Sequence, residues 1–241
     1  MVTPTAPPVA LITGAAQRIG AVLANQLHQS GFRVVVHYHH SEAAATELVA
    51  AFNKLRANSA VALSADLCSP SDISALLEAT VAQWGHLDLI VNNASIFSKQ
   101  DSDWEQMWRC NVQAPYQLSH AAFPYLDATQ GNIINITDVH AHTPLSGYAA
   151  YCQTKAALAM QTLALAQEFA PNVRVNAIAP GAIMWPEGGN QLNSTIQEKI
   201  ITKTLLKRHG TPENIAQALM YLVNNTYVTG QSLRVDGGRY L

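Results

Sequence analysis

A tyrosine and a lysine are spaced so that they could act together on a proton. Tyr151 and Lys155 stand four residues apart in the segment YCQTK, and residues at this spacing share one face of a helix. A lysine ammonium beside a phenol favours the phenolate, so we expect it to lower the tyrosine pKa from about 10. A tyrosine tuned in this way can act as a general acid. Tyr148 has no lysine four residues later and is set aside.

A glycine turn near the start of the chain is the second candidate. The segment TGAAQRIG spans residues 13–20, and Gly14 and Gly20 frame Arg18 and Ile19 within it. The backbone N–H groups of such a turn, with the dipole of the helix that follows, can hold a pyrophosphate. The same letters also fit an ordinary turn. Their place between the first predicted strand and the first predicted helix favours dinucleotide binding.

The tract HYHHS at 37–41 bears on cofactor selectivity. A dinucleotide fold that selects NAD usually carries an acid about 20 residues after the first glycine, and this chain has none there. Instead, Arg18 could approach a set of neutral or positive donors, namely Tyr38, His39, His40 and Ser41. Such donors favour a 2′-phosphate and therefore NADP. A metal site is the weaker alternative, because no carboxylate or cysteine completes a ligand set. Ser41 could also cap the following helix.

The hydrophobic pattern predicts the scaffold that positions these residues. Helical patterns alternate with short apolar runs along the chain. Two of the helical patterns are Ile19–Gln29, which Gly31 ends, and Ser71–Trp84, which follows Pro70 and ends at Gly85. Repeated strand–helix alternation predicts one α/β domain over 1–241, a Rossmann-type, doubly wound parallel sheet with helices on both faces. Continuous apolar runs are typical of strands covered on both faces, and seven are present: Val9–Thr13, Arg33–Tyr38, Ala60–Ala65, Leu87–Asn92, Asn132–Thr137, Arg174–Ala179 and Ser232–Val235.

Polar residues follow these strands, at the edge where such sheets bind ligands. Asp66 and Leu67 follow the third strand, and Asp66 could either bind an adenine amine or cap a helix. Asp138 follows the fifth strand, where a carboxylate could instead cap a turn. Phe97 lies in the segment after the fourth strand and could equally be a core aromatic. The other candidates after the fourth strand are Asn93, Ala94 and Ser95.

Composition argues against several classes of protein. The 241 residues are 49% hydrophobic and only 12% charged, with a net charge of −2, unlike disordered or nucleic-acid-binding chains. The longest apolar stretch, Ala156–Ala166, is broken by Gln161 and is too short to span a membrane. No Lys or Arg precedes Arg18, so no targeting peptide is predicted. Neither a disulfide framework nor a zinc site fits the scattered cysteines, so we expect a cytoplasmic, metal-free protein with reduced Cys68, Cys110 and Cys152.

Five features of the chain together resemble the short-chain dehydrogenase/reductase family, namely TGAAQRIG, NNA at 92–94, Asn111, YCQTK and Pro180-Gly181. They occur in the family's order and extend over almost the whole chain. That family usually has glycine at the positions of Arg18 and Ser95, and a catalytic serine where Asp138 stands. These departures, with HYHHS and the NNASIF segment that contains Phe97, resemble the pteridine reductase branch. One position differs from that branch, because His40 replaces an arginine.

The resemblance implies an NADPH-dependent reductase of dihydrobiopterin, related dihydropterins or dihydrofolate. Asp138 and Tyr151 would deliver the proton, Lys155 would hold the nicotinamide ribose, and Asn111 would position Lys155 through water. Phe97 would stack on the pterin. Arg18 and Ser95 would contact both cofactor phosphates and substrate, and a carboxylate suits the N–H donors along a pterin edge. The implied cofactor contacts are Gly14, Arg18, Ile19, Gly20, Tyr38, His39, His40, Ser41, Asp66, Leu67, Asn93, Ala94, Ser95, Tyr151, Lys155 and Gly181.

Two other functions remain open, a carbonyl or 3-oxoacyl-thioester reductase and a non-catalytic NADPH-binding sensor. The segment 182–195 is expected to cover the substrate, with Trp185 lining it, or else to form a surface loop. Two long helical patterns, Ser102–Leu126 and Gly147–Ala170, carry more apolar residues than one core-facing stripe needs. In the resembling family these helices pair between subunits, which implies a homotetramer.

Overall fold

The computed structural model describes residues 6–187 and 190–240, and its centre is one parallel sheet of seven strands. The strand order is β3-β2-β1-β4-β5-β6-β7, and every neighbouring pair is parallel. The order reverses between β1 and β4, which confirms the predicted doubly wound topology. The strands are β1 (Val9–Ile12), β2 (Arg33–Tyr38), β3 (Ala60–Ser64), β4 (Leu89–Asn92), β5 (Asn132–Ile136), β6 (Arg174–Pro180) and β7 (Ser232–Val235).

Helices cover both faces of the sheet. They are α1 (Arg18–Gln29), α2 (Glu42–Leu55), α3 (Pro70–Trp84), α4 (Trp104–Trp108), α5 (Ala114–Thr129), α6 (Ala149–Glu168), α7 (Ser194–Lys203) and α8 (Pro212–Asn224). Buried side chains of α1, α2 and α8 pack on one face, and those of α3, α5 and α6 pack on the other. In β1, Ala10 and Ile12 join the first core while Val9 and Leu11 join the second. Two buried faces explain the continuous apolar runs.

The predicted ends of α1 and α3 hold within a residue, with one change of cap in α3. Gly85 ends α3 in the left-handed conformation, at φ 84°, as the sequence predicts. The helix starts at Pro70, however, and its N-cap is Ser69, whose side chain accepts the N–H of Asp72 at 3.4 Å. The expected start at Ser71 is therefore one residue late, because the serine before the proline supplies the capping oxygen.

The predicted helix Ser102–Leu126 is not one regular helix. A 3₁₀ turn at Asp101–Asp103 precedes α4, and a π-helical turn at Arg109–Gln113 separates α4 from α5. Pro115 has no N–H and so cannot donate to the Asn111 carbonyl four residues back, which explains why the regular hydrogen-bond pattern breaks there. The pattern over Gly147–Ala170 does form one helix, α6. No described helix is both long and apolar enough to cross a membrane.

Candidate active site

Two adjoining cavities lie at the carboxyl ends of the strands. The first, of about 470 Å³, follows the glycine turn and the ends of β2 and β3, and we call it the groove. The second, of about 580 Å³, lies at the ends of β4, β5 and β6, and we call it the chamber. Both are lined by Arg18, Ile19, Asn93 and Ser95. The two cavities therefore form one continuous site.

Nearly all of the predicted site residues line this site. The groove adds Gly14, Gly20, Tyr38, His39, His40, Ser41, Asp66, Leu67 and Ala94. The chamber adds Phe97, Asp138, Tyr151, Lys155 and Gly181. Asn111 is fully buried and lines neither cavity. The structure therefore brings the predicted residues together around two cavities, while their roles in binding and catalysis stay predictions.

The glycine turn is closed so tightly that only glycine fits at its second end. A Cβ on Gly20 would lie 2.3 Å from the Gly14 carbonyl oxygen and 2.7 Å from Asn93 Nδ2. That amide donates to the carbonyls of Thr13 at 2.9 Å and Gly14 at 3.0 Å. Gly14 itself has a φ of 61°, which favours glycine. The turn is a rigid backbone cradle at the start of α1, as the pyrophosphate of a dinucleotide requires.

His37 locks this turn from below, a role that sequence reasoning missed. Its Nδ1 accepts the Gly14 N–H at 3.0 Å, so its Nε2 carries the proton and donates to the Ala65 carbonyl at 3.1 Å. Burial lowers the pKa of His37 to about 4, and the ring is therefore neutral at pH 7. The only available signal was its place as the first letter of HYHHS, where it points into the protein while its neighbours face the groove.

The far end of the groove, beside the end of β2, is lined by polar side chains, some of which make no hydrogen bond within the local structure. Ser41 is the N-cap of α2, but its hydroxyl makes no capping hydrogen bond. His39 and His40 are exposed and stack on each other, with ring centroids 3.6 Å apart. Asp66 Oδ1 accepts the N–H of Cys68 at 2.9 Å, so Asp66 shapes its own turn and leaves helix capping to Ser69. The described residues hold no cluster of three potential metal ligands.

The chamber places Tyr151, Asp138 and Lys155 together. The Tyr151 hydroxyl donates to Asp138 Oδ2 at 2.8 Å, and Lys155 Nζ donates to the Ile136 carbonyl at 3.0 Å. Lys155 Nζ lies 5.8 Å from the centroid of the Tyr151 ring. Asp138 Oδ1 accepts the N–H of His140 at 2.8 Å, which fixes the carboxylate. Tyr151 and Lys155 are only 5% and 2% exposed.

This geometry reverses the expected effect on the tyrosine. Burial, followed by the negative charge of Asp138, raises the pKa of Tyr151 well above its ordinary value. Burial also lowers the pKa of Lys155, to about 8. The prediction that Lys155 lowers the Tyr151 pKa is therefore wrong for this arrangement, because the carboxylate is hydrogen-bonded to the phenol and the ammonium is not. Tyr151 holds its proton firmly at neutral pH.

Asn111 acts behind the chamber wall. Its Oδ1 accepts the Ile96 N–H at 2.8 Å, and its Nδ2 donates to the Ile96 carbonyl at 2.9 Å and to Thr154 Oγ1 at 3.0 Å. Thr154 in turn donates to the Tyr151 carbonyl at 2.7 Å. Asn111 thus joins the segment after β4 to α6, through a threonine that sequence reasoning missed. Its predicted link to Lys155 through water stays a prediction.

Aromatic rings line one side of the chamber. Phe97 stacks on Tyr148 with centroids 4.4 Å apart and planes 11° apart, and it meets Tyr151 edge-on at 4.8 Å. Asn190 ties this pair together: it accepts from the Tyr148 hydroxyl at 3.0 Å and donates to the Phe97 carbonyl at 2.8 Å. Phe97 is half-buried and lines the chamber, unlike a core aromatic. Tyr148, set aside from its spacing alone, belongs to the site.

Described residues of the segment 182–195 line the chamber, and the expected role of this segment as a cover over the substrate stays a prediction. Trp185 lines the chamber, and its carbonyl accepts from the Arg18 guanidinium at 3.0 Å. The same guanidinium pairs with the Glu187 carboxylate. The glycine turn and this segment therefore meet through Arg18. Positions 188 and 189, which also belong to the predicted segment, lie outside the described residues.

Comparisons with known proteins bear on the family to which this chain belongs. A family model described as enoyl-(acyl carrier protein) reductase matches residues 14–239. The chain is 33% identical over 284 residues to pteridine reductase 1 of Leishmania tarentolae, covering 98% of this chain and 97% of the relative. It is 34% identical over 240 residues to dihydromonapterin reductase of Klebsiella pneumoniae subsp. pneumoniae, covering 96% of each.

Similarity of the same order reaches relatives with another named activity. The chain is 31% identical over 242 residues to the 3-oxoacyl-[acyl-carrier-protein] reductase of Staphylococcus aureus, covering 96% of this chain and 98% of the relative. Identity alone therefore does not separate pterin from ketoacyl substrates. The fold, the glycine turn, the Tyr151/Lys155 pair and these matches agree on one conclusion: the chain belongs to the short-chain dehydrogenase/reductase family, whose members are oxidoreductases that use nicotinamide cofactors.

Proposed function

We propose that this protein is an NADPH-dependent reductase that converts dihydropterins, and by the same chemistry dihydrofolate, to their tetrahydro forms. The observation that carries the proposal is the Asp138 carboxylate, whose Oδ2 accepts a hydrogen bond from the Tyr151 hydroxyl at 2.8 Å inside a chamber lined by the Phe97 ring. A carboxylate can accept the N–H donors along the edge of a pterin, and an aromatic ring offers a face on which a flat heterocycle can stack.

The roles follow from the charges and contacts of the chamber. A bound nicotinamide supplies the hydride. Tyr151 is the proton donor, because its raised pKa keeps it protonated at neutral pH, and a bound pterin would take the place of Asp138 Oδ2 as its hydrogen-bond partner or share it. Asp138 orients the pterin edge. Lys155, held by the Ile136 carbonyl, keeps a positive charge beside the reacting atoms at pH 7.

NADPH is proposed as the cofactor because of the groove's far end. The β2 end carries His39, His40 and Ser41, with no carboxylate at the position that would bind a ribose 2′-hydroxyl. The Ser41 hydroxyl makes no capping bond and can donate to a phosphate. Pteridine reductase 1 and dihydromonapterin reductase among the relatives support a pterin substrate by their names.

The test is NADPH consumption by the purified protein with dihydrobiopterin, dihydrofolate, a quinonoid pterin and an acetoacetyl thioester. We expect turnover with the dihydropterins, and loss of that turnover in Asp138→Ala. Asp127→Asn is the matched control, because Asp127 lies near the C-terminal end of α5 and lines neither cavity, and its Oδ1 accepts from Asn172 Nδ2 at 3.0 Å. No NADPH consumption with any pterin or folate, or full pterin turnover in Asp138→Ala, refutes the proposal.

A ketone or acyl-thioester reductase is the second candidate, favoured by the 31% identical 3-oxoacyl reductase. Such an enzyme needs a hydroxyl where Asp138 stands, to hold the substrate carbonyl oxygen. Asp138→Ser should then raise ketone turnover, whereas under the pterin proposal it lowers pterin turnover.

A non-catalytic NADPH sensor is a third candidate, and Tyr151→Phe tests it. If the protein still performs its function in the cell with this substitution, the enzyme proposals are excluded.

We also propose a homotetramer and a cytoplasmic location. Large apolar side chains are exposed on both α5 and α6, namely Tyr116, Met160 and Leu163 at 49%, 64% and 49%, and side chains of this kind would be covered if these two helices paired between subunits. Light scattering should give four times the chain mass of 26.0 kDa, and a monomer would contradict the assembly. The three cysteines are free, as is usual for cytoplasmic proteins.

A further inference from the structure

Asn190 connects the segment 182–195 to two parts of the chain that lie far from it in sequence. Its Nδ2 donates to the Phe97 carbonyl at 2.8 Å, and its Oδ1 accepts the Tyr148 hydroxyl at 3.0 Å. A carbonyl oxygen can only accept, so the amide nitrogen must face Phe97 and the amide oxygen must face the tyrosine. One side chain therefore uses both ends of its amide to hold the backbone of Phe97 and the ring of Tyr148 in one arrangement.

The two rings held in this way form a stack on the wall of the chamber. Their centroids are 4.4 Å apart and their planes 11° apart. Tyr148 is only 6% exposed, so its hydroxyl depends on a protein partner. The stack covers one face of the Phe97 ring, so a flat heterocycle can stack only on the other face. The orientation of that face follows from the stack, which Asn190 holds.

The location of Asn190 connects this contact with the substrate end of the site. Asn190 lies between β6 and α7, is half-buried, and lines the chamber together with Phe97 and Tyr148. It does not line the groove. Its neighbour Gln191 is exposed and lines neither cavity. Loss of the Asn190 amide should therefore change the binding of a substrate more than the binding of the cofactor.

We propose that Asn190 is a positioning residue for the substrate, because it keeps the Phe97–Tyr148 stack in the orientation that a flat, bicyclic heterocycle needs before that heterocycle binds. Without the amide, the two rings must be ordered when the substrate enters, and ordering side chains weakens binding. The inference rests on the proposed pterin substrate, since an open-chain thioester has no ring that could stack on Phe97.

The test compares the wild type, Asn190→Ala and Gln191→Ala in two assays. The first is steady-state NADPH consumption with dihydrobiopterin. The second is calorimetric binding of dihydrobiopterin to protein saturated with NADP⁺, which has no hydride to transfer. In Asn190→Ala we expect KM and Kd for dihydrobiopterin to rise about 3- to 10-fold, while kcat and the Kd for NADPH stay within about twofold. Gln191→Ala is the matched control and should behave as the wild type does.

Two further variants test the hydrogen bonds themselves. Tyr148→Phe keeps the ring and removes the hydroxyl, so it should raise the Kd for dihydrobiopterin less than Asn190→Ala does, since the bond to the Phe97 carbonyl remains. In the Asn190→Ala background the same change should have no further effect, because its partner is already gone. Asn190→Asp keeps an acceptor for Tyr148 but has no donor for the Phe97 carbonyl, so it should weaken binding at least as much as Tyr148→Phe does. Effects of Asn190→Ala and Tyr148→Phe that multiply in the double variant contradict the inference.

The remaining results have distinct meanings. Pterin turnover in the wild type with unchanged KM and Kd in Asn190→Ala overturns this inference but leaves the proposed function. Equal losses of NADPH and dihydrobiopterin affinity in Asn190→Ala also overturn it, because they indicate a general loss of structure. If the wild type binds dihydrobiopterin without reducing it and Asn190→Ala weakens that binding, the proposed reaction fails while the positioning role stands. A wild type that neither binds nor reduces dihydrobiopterin overturns both.

Discussion

Lys155 should make the folded protein less stable at neutral pH than the same fold without its charge. The side chain is 2% exposed, and burial lowers its pKa from 10.5 to about 8. The unfolded chain therefore binds the lysine proton more tightly than the folded chain. At pH 7 this difference of about 2.5 units corresponds to about 3 kcal/mol that favours unfolding.

The sign of the pH dependence follows from the same numbers. As the pH rises from about 8 towards 10.5, the folded protein loses this proton before the unfolded chain does, so the destabilisation is progressively relieved. Between pH 7 and pH 9.5 the wild type should gain about 2 kcal/mol relative to Lys155→Met, which has no charge to bury. The raised pKa of the Cys110 thiol works in the opposite direction over this range, but it is present in both chains and cancels in the comparison.

The measurement is urea unfolding of the wild type and Lys155→Met without cofactor at pH 7 and pH 9.5. Lys54→Met is the matched control, because it removes an exposed lysine in the last turn of α2. The free energy of unfolding of the wild type minus that of Lys155→Met should be about 2 kcal/mol more favourable to the wild type at pH 9.5 than at pH 7. A difference that is the same at both pH values refutes a charged, buried Lys155 and with it the charge assigned to the chamber.

Two further substitutions test the architecture of the site. Gly20→Ala should lower the free energy of unfolding by about 1–3 kcal/mol and weaken NADPH binding, because the new Cβ would lie 2.3 Å from the Gly14 carbonyl oxygen. An NADPH affinity that calorimetry finds unchanged would contradict the closed turn. Thr154→Ala should lower the free energy of unfolding, measured in urea, by about 1–3 kcal/mol, because Asn111 Nδ2 loses a buried hydrogen-bond partner. Thr154→Ser should retain most of the stability. Equal losses in both variants would argue against the hydrogen bond.

Local pattern was sufficient to predict the scaffold. Continuous apolar runs, glycines at helix ends and strand–helix alternation each depend on neighbours within a few residues, and the structure has the seven strands within one or two residues of the predicted ends. The edge of the sheet at which the site lies was also predictable, because the residues that follow parallel strands all lie at the same edge of the sheet. The exception was Ser102–Leu126, where Pro115 interrupts the backbone hydrogen bonds and a π turn forms.

The contacts that set the chemistry of the site were not predictable in this way. The sequence showed Tyr151 and Lys155 on one helix face. Only the folded chain buries the phenol and places the Asp138 carboxylate in hydrogen-bond contact with it, and burial, followed by this carboxylate, reverses the direction of the pKa shift. Asn190 and Tyr148 likewise meet Phe97 across large separations in the chain. The spacing of residues along a helix determines which side chains share a face. Burial and distant partners determine their charge, and these exist only once the sheet and its covering segments have packed together.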